Sequence, residues 1–334
     1  MTFRDIAKEA NVGTATVERV INGRGGVSDE TAAKVVGAAA RLGYGSRNLR
    51  LHHGSVRIEV ILPRPDNSFF ARLNRSYERI AQTLDRSITL HRTFVNENDP
   101  VMIANHIANP MFRRAGLIIC ARDDPRITQS LTSAKELGVE IVQVVTQCDD
   151  GTIPYVGVDN YSMGRSAGHY LALLLTGREG SVVSVCHSTS YRNQRERVQG
   201  FSDYLAENST ETLNFSHVML GRDDDLLSAE LFAEAVSRDS NIIGIYTAGG
   251  GDEGIGMFLQ KRQGPRRPIW IGQDLTDKKV RYLKAGVLDL CLDLPPQAHA
   301  QRSVDLILSR LHIIDAEVSN DPLRFFTVSS QNAE

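Results

Sequence analysis

The sequence predicts an α/β protein, with a body of parallel sheets covered by helices behind a small all-α head. Three observations predict it. From Val56 onward, apolar runs of strand length alternate with helical stretches, as in repeated strand–helix units whose sheets are buried on both faces. Residues 1–45 instead hold three short stretches with apolar residues at helical spacing. Charge divides at the same place: residues 1–53 carry 8 Lys and Arg against 5 Asp and Glu, and the remainder carries 30 against 35. A head of net +3 on a body of net −5 fits a phosphate-contacting module joined to something else, although the whole chain stands at only −2. At 334 residues the chain exceeds one ordinary core, so two or three domains are expected.

In the head, Thr2 precedes FRDIAKEA and is followed at three residues by Asp5, an N-cap with an acidic first turn. Ile6, Ala7 and Ala10 form its apolar face, and Asn11-Val12-Gly13 breaks it, with Gly13 suited to the turn. Thr14 is expected to cap a second helix with a stripe of Val17, Val20 and Ile21, ended by Asn22-Gly23. Ser28 is expected to cap a third, with Val35, Ala39 and Leu42 inward. Two short helices joined by a tight turn make a helix-turn-helix, whose second helix enters the major groove. Its exposed face here offers Thr14, Ala15, Thr16, Glu18 and Arg19. Arg pairs with guanine, Glu accepts from cytosine and Ala packs on a thymine methyl. Thr2, Asn22, Ser28 and Thr31 are polar groups near helix ends, where phosphates would lie.

The run from Thr2 to Tyr44, with D-I-A-x-x-A-x-V followed by T-V-x-R-V-I-N, resembles the DNA-binding head of the lactose/galactose repressor (LacI/GalR) family. The resemblance implies that Thr14, Ala15 and Arg19 read bases and that Tyr44 closes the head. Glu18 stands where that family usually has serine, which predicts a different operator. The segment after Tyr44, GSRNLRLHHGS, lacks the family's proline and is shorter. Leu49 or Leu51 is the candidate for the family's minor-groove wedge, and Arg47 and Arg50 for phosphate contacts, against a merely solvated linker.

In the body, strands are expected at Val56–Leu62, Thr89–Val95, Gly116–Cys120, Ile141–Thr146, Val182–Cys186, Ile242–Thr247, Pro268–Gly272 and Leu288–Asp293. Ala71–Leu84, Ser162–Leu175, Arg195–Glu207 and Asp225–Ser237 are expected helices. Ligands of such sheets bind at the carboxyl ends of strands. Several loops there resemble the same family's core: Asp66-Asn67-Ser68-Phe69-Phe70, Val158-Asp159-Asn160 through Gly164, Arg197-Val198-Gln199-Gly200-Phe201, and Gly272-Gln273-Asp274. The resemblance implies a type I periplasmic-binding-protein-like core of two lobes around a cleft. It also implies three crossing segments, near Val158–Tyr161, Leu290–Leu294 and Asp321–Arg324. The expected organisation is a head at 1–45, a hinge at 46–55 and a ligand-binding, dimerising core at 56–334. The N-lobe is expected about 56–158 and 293–321, the C-lobe about 159–290 and 324–334. Arg197 and Asp274 match positions that grip ligand hydroxyls, and Phe69 or Phe70 would face a sugar ring. Asp66, Thr146, Gly250, Asp252 and Asp293 complete the expected ligand set.

One motif competes. Gly249-Gly250-Gly251-Asp252-Glu253-Gly254 contains G-x-G-x-x-G after a strand, with Asp274 about 20 residues on, the fingerprint of dinucleotide binding. It supports an alternative, an NAD-dependent enzyme with a fused head. The four cysteines have no C-x-x-C spacing and the histidines are scattered apart from His52-His53, so neither disulfide, metal nor cofactor is expected. The start MTFRDIAKEA reads as an amphipathic helix, no apolar run approaches a membrane span, and no heptad tail follows the body. The sequence is therefore read as a cytoplasmic, homodimeric regulator, expected to be a repressor and not an enzyme. Its expected partners are operator DNA and a small effector: a monosaccharide, sugar alcohol or sugar acid. The acidic option rests on Arg122, Arg192 and Arg195 near strand ends. A transporter's solute-binding protein shares the body but has no such head.

Overall fold

The computed structural model describes residues 2–21, 26–42, 56–64, 68–148, 151–208, 213–261 and 267–333. In the head, helix α1 (Phe3–Ala10) opens at Thr2, whose backbone N–H and hydroxyl donate to the Asp5 carboxylate at 2.7 and 3.1 Å. Asn11, at φ 52°, takes the left-handed turn that ends α1. Gly13 does not take it; it precedes α2 (Thr14–Ile21), and its carbonyl accepts from the N–H groups of Thr16 and Val17. Thr14 is therefore the first helical residue rather than the cap. Ser28 does cap α3 (Asp29–Arg41), its hydroxyl accepting from the Thr31 N–H at 3.3 Å. The three helices close on Ile6, Val17, Val20, Val35 and Ala38.

The body begins with β1 (Val56–Pro63), buried at all but one position, as expected of a central strand covered on both faces. It continues through α4 (Ser68–Thr83), β2 (Ile88–Val95), α5 (Pro100–Ala108), β3 (Gly116–Ile119), α6 (Pro125–Glu136), β4 (Glu140–Val144) and β5 (Tyr155–Val156). These five strands form one parallel sheet in the order β2-β1-β3-β4-β5. After α7 (Asn160–Leu174) come β6 (Gly180–Cys186), α8 (Arg192–Asn208), β7 (Leu213–Leu220), α9 (Asp225–Arg238), β8 (Ile242–Thr247), α10 (Glu253–Gln260), β9 (Ile269–Gln273), α11 (Asp277–Lys284) and β10 (Leu290–Asp293). With β11 (Phe326–Val328) they build a second sheet, β11-β10-β9-β8-β6-β7, parallel except where β11 meets β10.

The chain passes between the sheets after β5, after β10 and before β11. Helix α12 (Pro296–Arg310) returns from the second sheet to pack on α4, β3 and β4 of the first. A lone parallel bridge, Val158 to Leu323, ties two of the crossings together. Three strands carried no readable signal. β5 and β11 are two and three residues long, and β7 is an edge strand with most positions partly or fully exposed. Among the described residues no helix is long and apolar enough to cross a membrane. All four cysteines are buried and none is disulfide-bonded.

Candidate functional site

The head presents a narrow polar face. Val17, Val20 and Ile21 turn α2 into the core, leaving Thr14, Ala15, Glu18 and Arg19 exposed and Thr16 half-buried. Residues three and four apart share a helix face, so Ala15, Glu18 and Arg19 form one surface. Thr2 and Ser28 are exposed at helix starts, with Thr31 half-buried beside Ser28. Asn22, Tyr44, Arg47, Leu49 and Arg50 lie outside the described residues, as does Asp66 of the body.

In the body a cleft opens at the carboxyl ends of the strands. An outer space of about 480 Å³ leads to an inner chamber of about 50 Å³, and Phe69, Asp223, Gly249, Gly250 and Asp274 line both. Arg197 reaches the chamber from the first turns of α8 and is only 2% exposed. Its placement is set by a close helix crossing. A Cβ on Gly164 of α7 would lie 2.0 Å from the Arg197 carbonyl oxygen, and one on Gly200 would lie 2.1 Å from that of Tyr161. Only glycines allow this backbone-on-backbone contact. Asn160, at the start of α7, then accepts from Arg197 Nε at 2.9 Å and donates to the Tyr155 hydroxyl at 3.1 Å. Tyr155 in turn donates to the carbonyl of Val145 at 3.0 Å. Val145 has φ 71°, a strained conformation for a β-branched residue, and forms a tight turn in which the Thr146 N–H donates to Val144 O.

Arg197 Nη1 donates to Ala248 O at 3.0 Å, but Nη2 is buried with no partner. Asp274, at φ 61° after β9, likewise has a buried Oδ1 without a partner. Burial pushes its carboxyl above the usual range, with Arg197 and Lys279 opposing. A donor and an acceptor left open on one chamber suit a hydroxyl, which can accept from the first and donate to the second. Phe69 sits mainly in the core, edge-on to Phe70 and His299, and Phe70 is half-buried on the chamber wall. Thr146 lines the chamber, with its hydroxyl 3.4 Å from the Asn193 N–H.

Two of the expected ligand carboxylates are committed elsewhere. Asp252 is buried, paired with Lys279 Nζ at 2.9 Å and accepting from the Thr247 hydroxyl at 2.9 Å. Lys279 also donates to the carbonyls of Gln273 and Asp274, so Asp252 fixes the Asp274 loop through Lys279. Asp293 takes a two-pronged ion pair from Arg72 at 2.9 and 3.0 Å and accepts from the Leu275 N–H at 2.7 Å. Because Arg72 lies on α4, that pair joins the two lobes.

The glycine-rich loop serves packing. Asp223 presses its backbone against Gly251, where a Cβ would lie 2.5 Å from the Asp223 carbonyl carbon, and its carboxylate accepts from the Gly250 N–H at 3.0 Å. The amide that a pyrophosphate would need already faces an anion. Arg222 and Asp223 are both left-handed, at φ 53° and 55°, a strained pair no composition signal announces. Sequence reasoning also missed Glu97, Tyr191, Asn193 and Gln194 on the chamber wall. Tyr191 donates to Glu97 at 2.7 Å across the cleft, and His187 lies 3.8 Å from Glu97 and 3.5 Å from Asp223. Although burial alone lowers a histidine, Asp223 and Glu97 raise His187 above its ordinary value. Arg122, Arg192 and Arg195 point elsewhere: to Ser190, to Glu196, and to Asp123 with Thr189 O.

Comparison with known proteins finds two matching regions. The family described as "Periplasmic binding protein domain" matches residues 58–311, and "Bacterial regulatory proteins, lacI family" matches residues 2–46. The chain is similar to Catabolite control protein A of Priestia megaterium, 25% identical over 88% of this chain and 80% of that one. It is 37% identical to the Ribose operon repressor of Halalkalibacterium halodurans over 28% of this chain and 29% of that one. Among solved structures, the glucose-galactose binding protein of Geobacillus stearothermophilus superposes with a TM-score of 0.73 at 17% identity, covering 83% of this chain and 98% of that one. A solute-binding protein of Burkholderia graminis in complex with D-arabinose gives 0.73 at 15%, over 84% and 96%. At these identities the structural likeness is one of fold.

Proposed function

The chain belongs to the periplasmic binding protein domain family through residues 58–311 and carries a lacI-family regulatory region at residues 2–46, and from that premise we propose a DNA-binding transcriptional repressor governed by a small sugar-like effector. Residues 1–45 are the reading head, 46–55 the hinge and 56–334 the effector-binding, dimerising core. Thr14, Ala15, Glu18 and Arg19 face base edges. The protein acts in the cytoplasm as a homodimer on a two-fold symmetric operator, and it catalyses no reaction. Regulators and a repressor among the relatives support the first part, and sugar-binding fold neighbours support the second. The observation that carries the effector site is the unpartnered pair, Arg197 Nη2 and Asp274 Oδ1, on one buried chamber. Nothing in the comparisons supports a nicotinamide-dependent enzyme.

The test is selection of bound fragments from random DNA by the full chain, followed by titration of the selected site with and without a panel of sugars and polyols. The expected result is a symmetric site whose affinity one sugar class shifts roughly 5- to 150-fold, the usual range of allosteric coupling. Enrichment of no sequence overturns the operator reading. Indifference to every sugar overturns the effector reading.

A further inference from the structure

The chamber's charges say more about its ligand than that it is a polyol, and the argument rests on the effector reading above. Arg197 is the one arginine lining the inner chamber among the described residues, and its fork is partly taken: Nε goes to Asn160 and one N–H of Nη1 to Ala248 O. A carboxylate or phosphate is held best by two parallel N–H groups of such a fork. Its Nη2 has no partner, and the Asp274 carboxyl lies on the same chamber.

Two further carboxylates complete the wall. Glu97, from the first lobe, accepts from Tyr191. Asp223, from the second, occupies the Gly250 N–H, the amide that the glycine-rich loop would otherwise turn toward an anion. His187 stands between them at 3.8 and 3.5 Å, so its ring nitrogens already face carboxylates. Three carboxylates thus face one arginine and one histidine in the chamber. In the outer cleft, Arg72 is bound to Asp293, Lys278 to Glu253 and Lys279 to Asp252. Arg75 there, and Arg64 and Arg222 at a neighbouring mouth, are exposed to solvent, where screening weakens their hold on an anion.

We propose that Glu97 and Asp223, flanking His187, form a charge filter that limits the effector to an uncharged polyhydroxyl compound and turns away sugar acids and sugar phosphates. A neutral hydroxyl completes the open Arg197 and Asp274 atoms without adding charge. An anion at the same depth meets the carboxylates of Glu97, Asp223 and Asp274 on the wall, opposed by one partly committed arginine and one histidine.

The test uses matched probes that differ in charge: D-glucose against D-glucuronate, D-galactose against D-galacturonate, D-glucitol against D-gluconate and D-ribose against ribose 5-phosphate. Binding to the full chain is measured by calorimetry. The expected result is that a neutral member binds and its charged partner binds about tenfold or more weakly. Asp223→Asn, which keeps the oxygen facing Gly250, narrows that gap for the same pair, and Glu97→Gln does so independently. A loss of stability alone would weaken both members of a pair alike and leave the ratio of their affinities unchanged. An acid or phosphate that binds the native chain as well as its neutral partner overturns the filter and leaves the sugar-effector reading standing. Failure of every probe, neutral and charged, removes the effector reading and the filter with it.

Discussion

At the scale of single residues, the proposed site separates groups with an open atom from groups that hold them in place. Asp274 belongs to the first kind: its Oδ1 is buried and open, and burial raises its pKa. Asp274→Asn therefore acts in opposite directions on two measurements. Effector affinity falls about tenfold, because a charge-assisted hydrogen bond becomes a neutral one. Stability of the free protein stays level or rises by up to about 1 kcal/mol, because a buried charge is removed. Calorimetry and urea unfolding read the two, and a variant that lost both would mark Asp274 as structural. His299 makes the pH prediction. Burial pushes it down to about 4 from an ordinary 6.5, while its Nδ1 faces Pro295 O at 2.8 Å. Between those values the unfolded chain binds a proton that the native chain does not, so stability is present above about pH 6.5 and is lost as pH falls toward 4. The gap is worth about 3 kcal/mol. Urea midpoints taken from neutral pH downward should fall less steeply in His299→Gln than in the native chain. Parallel curves would sink the assignment.

At the scale of elements, the crossing of α7 and α8 decides where Arg197 points. A methyl group on Gly200 meets the Tyr161 carbonyl at 2.1 Å, so the helices must separate. Gly200→Ala should cost about 1–3 kcal/mol as an overpacked contact and weaken effector binding with it, read by thermal unfolding and calorimetry. Retention of both would show that the helices can part without moving Arg197. This example also marks what the sequence makes legible. The motifs around Gly164 and Gly200 were visible, and so was Arg197, because they resemble motifs of a known family. Their reason was not, since the contact lies between residues far apart in the chain. The same limit applies to Gly249–Gly251. Glycine spacing says that backbone approaches something, read as a ligand with a dinucleotide as the alternative, and the fold places Asp223 against Gly250 and Gly251. Asp252 was legible as the carboxylate closing the glycine-rich loop and Asp293 as one at a strand end, but not the Lys279 and Arg72 that claim them.

At the scale of the whole molecule, the two lobes meet through polar contacts across the cleft. Tyr191 reaches Glu97, Arg195 reaches Asp123 at 2.8 Å, and Arg72 crosses from α4 to Asp293 and to the carbonyl of Leu275. Such contacts weigh one lobe arrangement against another, and a ligand in the cleft adds to the same balance. Arg72→Gln removes the ion pair without entering the inner chamber, so its effect measures the closing equilibrium rather than direct contact. Effector affinity should fall roughly tenfold, because binding must then supply the closure that Arg72 contributed. At saturating effector the operator affinity should return to the native saturated value, since the closed arrangement itself is unchanged. Reciprocity sharpens the test: the factor by which effector changes operator affinity must equal the factor by which operator changes effector affinity, in the variant as in the native chain. A variant with native effector affinity would show that Arg72 does not weigh on closure. One whose saturated operator affinity stays displaced would show that Arg72 shapes the closed state itself, and the switch would then lie in the geometry of α4 rather than in the balance between the lobes.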